Sequence, residues 1–466
     1  MTKKKVVVIG AGLAGSLISN ELVKYFDVTL LEKGGKNSIQ YPKIEFIHKK
    51  LAEVATFCFG GGGTTNLWHN GLIPINIDDI FDKEFYEVLC DANRFMDKAA
   101  ASLFFKKASY SQEYKQLQSE MNELTRNIGV FEDGIDCLVY PRRFKKLTVD
   151  TRVNDVYSVD TIDFISENNR IVTVNYSIGP MKYSVDADRV IVSAGAFGTP
   201  EILKKILSSI GIGFNKLGVG WIDHPMGFVG KVKFKKEVSG LIRKLSLLDK
   251  GDYVSRNAVR LKSECGKYTC CVFFRPALTM DNNLSIYKYK SLLGASSGKT
   301  RLKTAFSSKI LHPDIISEIY SHFFGFNIPG RTYSILFMGE QKRGNNRVCY
   351  DGDDLKIDWS VTGEEISVYN NVLKKLKRML SKISDEININ TNISEEWLWS
   401  AAHHSRTTPM GNTQNDLIDK NLKLKCCDNV CVCDGSVIQE HSYANTGLTI
   451  GQLGMRLTDL LLKKGG

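Results

Sequence analysis

The residues Gly10-Ala11-Gly12-Leu13-Ala14-Gly15 follow an apolar run of strand formers, Val6-Val7-Val8-Ile9, and precede a stretch from Ser16 to Tyr25 with helical spacing. A second short apolar run, Val28 to Leu31, ends at Glu32. Strand, glycine turn, helix, strand and acid in that order constrain the fold more than any other part of the chain. The first glycine permits a tight turn out of the strand, the second lets a pyrophosphate approach the backbone, and the third lets helix and strand pack closely. The helix N-terminus then offers free N–H groups and the positive end of its dipole to phosphate. The motif predicts a dinucleotide cradle at Gly10, Gly12, Leu13, Ala14 and Gly15. Glu32, followed by Lys33, stands where its carboxylate can accept both ribose hydroxyl protons and repel the extra phosphate of NADP. These residues alone leave FAD and NAD equally open.

The 466 residues have room for about two or three domains. No uninterrupted apolar run reaches the roughly 18 residues of a membrane-spanning helix. Met1-Thr2-Lys3-Lys4-Lys5 before an apolar run resembles the start of a secretory signal, but no cleavage site follows, so a cytoplasmic chain is expected. Lysine and arginine exceed aspartate and glutamate by 62 − 51 = 11. That excess leaves room for an anionic substrate or a membrane surface, and no nucleic-acid-binding module accompanies it. Its clusters are Lys231, Lys233, Lys235, Lys236, Arg243 and Lys244, then Lys299, Arg301, Lys303 and Lys309. Eleven cysteines include a cluster at Cys426, Cys427, Cys431 and Cys433, but none are spaced C-x-x-C. A strand of small apolar side chains is expected there, and no metal site.

Helix-like segments are expected between Asp78 and Met121, and strands between Arg152 and Val192, broken at Asn168-Asn169 and Gly179-Pro180. Ser193 to Pro200 reads as a small-residue turn before a helix from Glu201 to Ile210. Strands alternating with loops are expected from Lys231 to Asp358, then a helix from Glu364 to Ser381.

Four further segments separate the cofactors. They are Phe59-Gly60-Gly61-Gly62-Gly63-Thr64-Thr65-Asn66-Leu67-Trp68, Val192 to Pro200, Val219 to Pro225, and the stretch from His403 through Met410-Gly411 and Asp434-Gly435-Ser436 to Asn445 and Arg456. In this order they resemble the glucose–methanol–choline (GMC) oxidoreductases, FAD enzymes acting on alcohols and sugars. The resemblance implies an α/β fold. A discontinuous FAD-binding Rossmann-like domain would comprise residues 1–75, 145–228 and 398–466. A second, antiparallel-sheet substrate domain with connecting helices would comprise 76–144 and 229–397, and Glu340 and Asn346-Arg347-Val348 look like part of that sheet. The resemblance carries FAD contact onto Gly62, Gly63, Thr64, Asn66, Leu67, Trp68, Val153, Ala194, Gly195, Asp434, Gly435, Asn445 and Thr446. Some relatives attach FAD through a histidine where this chain has Leu67, so non-covalent FAD is expected, with His69 pointing elsewhere.

Oxidising an alcohol requires removal of the hydroxyl proton as hydride leaves the carbon, which suits an imidazole paired with a second polar group. By resemblance these are His403, eight residues before Gly411, and Asn445. Arg406 stands where the family usually has glycine, and a register slip of one would make His404 the working residue. His224 reads as structural, near the domain junction. The implied activity is an FAD-dependent alcohol or sugar dehydrogenase or oxidase, its electron acceptor left open. The chain is shorter than most of the family it resembles, with the loss in the substrate-binding half. A reduced lid would suit a bulky, tethered or nucleotide-linked sugar, while the basic clusters leave an anionic or lipid-linked substrate open. The rivals are a flavin-containing lyase on the same fold and a non-catalytic flavoprotein subunit.

Overall fold

The computed structural model describes residues 3–142, 147–295, 308–324, 330–352 and 354–465. Lys5–Ile9 is the central strand of a five-stranded parallel sheet, in the order Val430–Val432, Arg189–Val192, Lys5–Ile9, Asp27–Leu31, Asn154–Val156. Val8 pairs with Leu30 on one side and Ile191 on the other. The strand order therefore reverses at Lys5–Ile9, where sheets of this kind open a ligand crevice at their carboxyl ends. Val6, Val7, Val8, Leu30 and Ile191 are buried, as their unbroken apolar runs require of strands covered on both faces. The helices Leu13–Leu22 and Thr446–Gly465 pack against each other, and Gly195–Ser209 follows the strand Arg189–Val192.

The second large sheet has eight strands. Its main path runs Leu248–Asp249, Tyr253–Lys262, Thr269–Pro276, Thr332–Met338, Pro225–Phe234, Ser384–Ile389. Ile135–Pro141 pairs with Tyr253–Lys262, Trp399–Ser400 pairs with Pro225–Phe234, and all neighbours are antiparallel. The period of two is clear along Thr269–Pro276. Val272 and Phe274 join the core shared with the helix Gly363–Ser381, while Phe273 and Arg275 face the other way, into a cleft. Thr362 caps that helix, accepting from the Glu365 N–H while the Glu365 carboxylate accepts from the Thr362 N–H. Among the described residues no helix is long and apolar enough to cross a membrane.

Several elements depart from expectation. The first helix is Leu13–Leu22, starting directly after Gly12. Gly195–Ser209 starts where a turn was expected and carries Pro200 inside it. Pro200 has no N–H for the Ala196 carbonyl; the buried Thr407 hydroxyl donates to that oxygen instead, at 2.6 Å. Between Lys231 and Asp358 lie the helices Lys236–Ser246, Leu284–Ala295 and Pro313–Phe324, where only strands and loops were expected. Arg347–Asp351 belongs to a separate three-stranded sheet with Asp354–Asp358 and Ile44–Phe46, not to the eight-stranded one. Strands also run across the expected domain limits: Pro225–Phe234 spans 228/229, and Trp399–Ser400 pairs with it. Asn168 and Asn169 take the left-handed conformation that turns one hairpin of the meander Thr161–Glu167, Arg170–Ile178, Met181–Asp186.

Candidate active site

The cleft has a volume of about 370 Å³ and is lined from both sheets. On the parallel-sheet side, Gly12 is the N-cap of Leu13–Leu22, and no side chain caps that helix end. A Cβ at Gly12 would meet nothing within 4 Å, so the backbone here is open to the cleft it lines. Gly63, at φ +50°, lies against Gly12, and the Gly62 N–H donates to the Ala11 carbonyl at 2.8 Å. The two glycine segments thus form one surface of bare backbone beside a helix N-terminus, which suits a pyrophosphate.

Glu32 lines the same cleft, but its carboxylate is already engaged. Oε2 accepts from the Ala11 N–H at 2.7 Å, and Oε1 from the N–H groups of Gly34 and Gly60 at 2.9 Å each. Burial pushes this carboxyl up against the pull of the three amides. A carboxylate has about four acceptor positions, so room remains for about one ribose hydroxyl and not the two expected. Asp434 is occupied in the same manner. It accepts from the Gly195 N–H at 2.9 Å, the Thr199 hydroxyl at 2.6 Å and the Ser436 N–H at 2.7 Å. Its side chain ties the helix Gly195–Ser209 to the C-terminal segment, and Asp434, Gly435 and Ala194 all line the cleft.

Of the residues expected to hold cofactor, Gly10, Gly12, Leu13, Ala14, Glu32, Gly63, Thr64, Leu67, Trp68, Ala194, Gly195, Asp434, Gly435, Asn445 and Thr446 line the cleft. Gly15, Lys33, Gly62, Asn66 and Val153 do not. Gly15 packs helix on strand, since a Cβ there would lie 1.8 Å from the Gly10 carbonyl oxygen. The Lys33 side chain is exposed with its Nζ 5.2 Å from the Phe59 ring centroid. Asn66 donates to the carbonyls of Gly61 and Gly63, holding the glycine segment in shape, and Val153 is buried in the core.

Four histidines lie together beside Asp223: His224, His403, His404 and His441. Asp223 accepts from the backbone N–H groups of His224 at 2.7 Å and His403 at 3.0 Å, and from the Ser400 hydroxyl. Burial pushes the Asp223 carboxyl up, but the nearby His404 and the Ser400 hydroxyl outweigh it and hold it at about 2. His224 Nε2 lies 2.8 Å from the Ser442 carbonyl, which can only accept, so that nitrogen carries the proton. Burial holds His224 neutral, so its Nδ1 is an acceptor. His403 Nδ1, at 2.8 Å from it, must then donate. Neutral His403 is left with a bare Nε2 on a ring that lines the cleft. His403 is pushed down to about 4 by burial, against the pull of Asp223.

His404 is differently placed. Its ring stacks on Phe197 at 4.3 Å and meets Trp221 edge-on at 5.6 Å. Its Nδ1 is 3.0 Å from Asp223 Oδ2 but off line for a hydrogen bond. Arg406 has φ +64°, the left-handed region that favours the glycine usual at this point in the family it resembles.

Residues 346–454 match the family model described as GMC oxidoreductase, a stretch that carries His403, Asp434 and Asn445. Over that stretch the chain is similar to GMC oxidoreductases. Its fold agrees with solved structures over essentially its whole length. Pyridoxine 4-oxidase from Mesorbium loti is 14% identical, with 99% of each chain covered and a TM-score of 0.62. An FAD-dependent oxidoreductase from Chaetomium thermophilum is 13% identical, covering 98% of this chain and 99% of its own, at a TM-score of 0.61. Formate oxidase of Aspergillus oryzae RIB40 is 13% identical, covering 100% and 99%, at 0.60. No curated protein matches the chain in sequence.

The far wall of the cleft is one face of the eight-stranded sheet. Tyr140, Arg256, Phe273, Arg275, Leu336 and Met338 line it, contributed by adjacent strands. None was expected from the sequence; the signal available was the alternation of side chains along those strands, legible only once the pairing is known. The basic residues that were singled out lie elsewhere. None of Lys231, Lys233, Lys235, Lys236, Arg243, Lys244 and Lys309 lines the cleft, and Lys231 is buried against Asp314. Lys299, Arg301 and Lys303 lie outside the described residues. His69, expected to point away, does line the cleft, at an exposed position. Cys431 sits in the strand Val430–Val432, with Cys427 and Cys433 buried beside it.

Proposed function

We propose that the chain is an FAD-dependent oxidoreductase that takes hydride from a CH–OH carbon, in an alcohol or a sugar, and leaves a carbonyl. The pairing of His403 Nδ1 with His224 Nδ1 at 2.8 Å carries this reading, because it presents an unprotonated Nε2 to the cleft. The bare backbone at Gly12 and Gly63, the uncapped helix beside it and the remaining acceptor position of Glu32 fit the pyrophosphate and one ribose hydroxyl of FAD. When bound, FAD supplies the two-electron acceptor for the hydride.

The chain's own side chains handle the proton and the geometry. His403 Nε2 accepts the hydroxyl proton as the carbon gives up hydride, and Asp223, held ionised, favours the imidazolium that results. His224 fixes the His403 ring and its tautomer. Asn445 lines the same cleft and is suited to hold the alcohol oxygen through its amide. Similarity to enzymes named oxidases supports redox chemistry over the lyase reading.

Purified protein mixed anaerobically with alcohols and sugars should lose its yellow flavin colour with at least one of them. Product formed without bleaching would favour the lyase, and no change with any of them would leave the binding-subunit reading standing. We further expect the FAD to be held without a covalent bond, since Leu67 offers no nucleophile. Acid precipitation should free the chromophore. Colour kept in the washed pellet would contradict this and point to His69, which lines the cleft.

A further inference from the structure

We propose that the alcohol oxidised here carries an oxyanion, and that Arg256 and Arg275 on the sheet wall of the cleft receive it. This deepens the CH–OH reading and rests on it. Arg256 is half-buried; its Nη1 is shut off from solvent and has no hydrogen-bond partner, and no ion pair compensates it among the described residues. Arg275 is also half-buried, and its charge presses on Arg256. Its guanidinium meets Glu318, which also lies 3.1 Å from Lys290 Nζ. Lys231 takes Asp314. Among the described residues Glu318 is thus taken by Arg275 and Lys290 and Asp314 by Lys231, which leaves Arg256 without a carboxylate partner.

An arginine cannot relieve such burial by losing its proton, so a desolvated guanidinium without a counter-charge is costly unless a ligand brings one. A planar fork of N–H donors matches carboxylate or phosphate oxygens two at a time. Phe273, Leu336 and Met338 line the same cleft with apolar surface, which suits a hydrocarbon or ring between the oxyanion and the reacting carbon. Of the lysines picked out by sequence clustering, none among the described residues lines this wall, and Lys231 is already neutralised by Asp314.

Calorimetric titration of the FAD-loaded protein tests the assignment with three para-substituted benzyl alcohols: hydroxymethylbenzoate, hydroxymethylphenyl phosphate and hydroxymethylbenzamide. At least one anion should bind about ten- to a hundredfold tighter than the neutral amide. The tighter of the two identifies the oxyanion as carboxylate or phosphate. Arg256→Gln should remove most of that preference while leaving amide binding near the wild-type value. Arg256→Lys, which keeps the charge, should retain part of it, so that a loss through misfolding is recognised. Wild-type protein that binds neither anion more tightly than the amide overturns the proposal, as does an Arg256→Gln protein that discriminates as well as wild type. Binding is read without turnover. Failure of alcohols to bleach the flavin would therefore sink the CH–OH reading, while the anion preference is measured separately.

Discussion

A Cβ added at Gly12 would meet nothing within 4 Å, whereas one at Gly15 would sit 1.8 Å from the Gly10 carbonyl oxygen. The two glycines share a motif but answer to different neighbours, one to a ligand and one to the fold. Gly12→Ala, at a φ of −73° open to any residue, should leave the unfolding midpoint of the FAD-free protein nearly unchanged and weaken FAD retention at least tenfold. Gly15→Ala should destabilise the protein by about 1–3 kcal/mol or more through overpacking, whether or not FAD is present. Thermal melts of the stripped proteins, alongside FAD titration, separate the two. This distinction was legible in the motif itself. What the motif could not convey is the use of Glu32, whose three backbone donors come from Ala11, Gly34 and Gly60. The Gly60 donor is 28 residues away in sequence and reaches Glu32 only through the fold.

The helix Gly195–Ser209 depends on a partner more than 200 residues later. Pro200 cannot donate to the Ala196 carbonyl, and the Thr407 hydroxyl fills that place. Thr407→Val should therefore leave a buried carbonyl unsatisfied and cost about 1–3 kcal/mol, read as a lower urea midpoint. Pro200→Ala added to Thr407→Val should recover much of the loss, because the helix regains its own donor; no recovery would contradict the assignment. A proline inside a helix explains why the sequence pattern reads as a turn up to Pro200 and places the helix start six residues late. The parallel strands were readable because burial on both faces makes them unbroken apolar runs. The helices at 236–246, 284–295 and 313–324 were not, since they interrupt a region whose neighbouring strands supply most of the apolar signal. The far wall of the site escaped for a related reason: Arg256 and Arg275 sit on strands whose register decides which side chains enter the cleft.

Across the whole molecule, the junction between the two sheets is where titration and chemistry meet. His224, His403 and His441 are all held neutral by burial, with His403 at about 4 and His441 at about 3. In the unfolded chain each takes a proton near its ordinary value of about 6.5. The stability these groups confer is therefore complete above that pH and is lost as pH falls towards their folded values, by about 1.4 kcal/mol per pH unit for each histidine. Urea unfolding followed from neutral pH to about pH 5 should show this decline, and His441→Gln should make it shallower by about one histidine's share. An unchanged slope would contradict the neutral, buried assignment of His441. The same junction holds the proposed proton acceptor, and stopped-flow reduction of the bound flavin under anaerobic conditions, with an alcohol that bleaches the wild-type protein, tests it without the electron acceptor. His403→Ala should retain FAD and slow that reduction by about 10²–10⁴-fold, while His404→Ala, whose ring stacks on Phe197, should have a much smaller effect. A folded, FAD-loaded His403→Ala protein that is reduced at the wild-type rate would contradict the account.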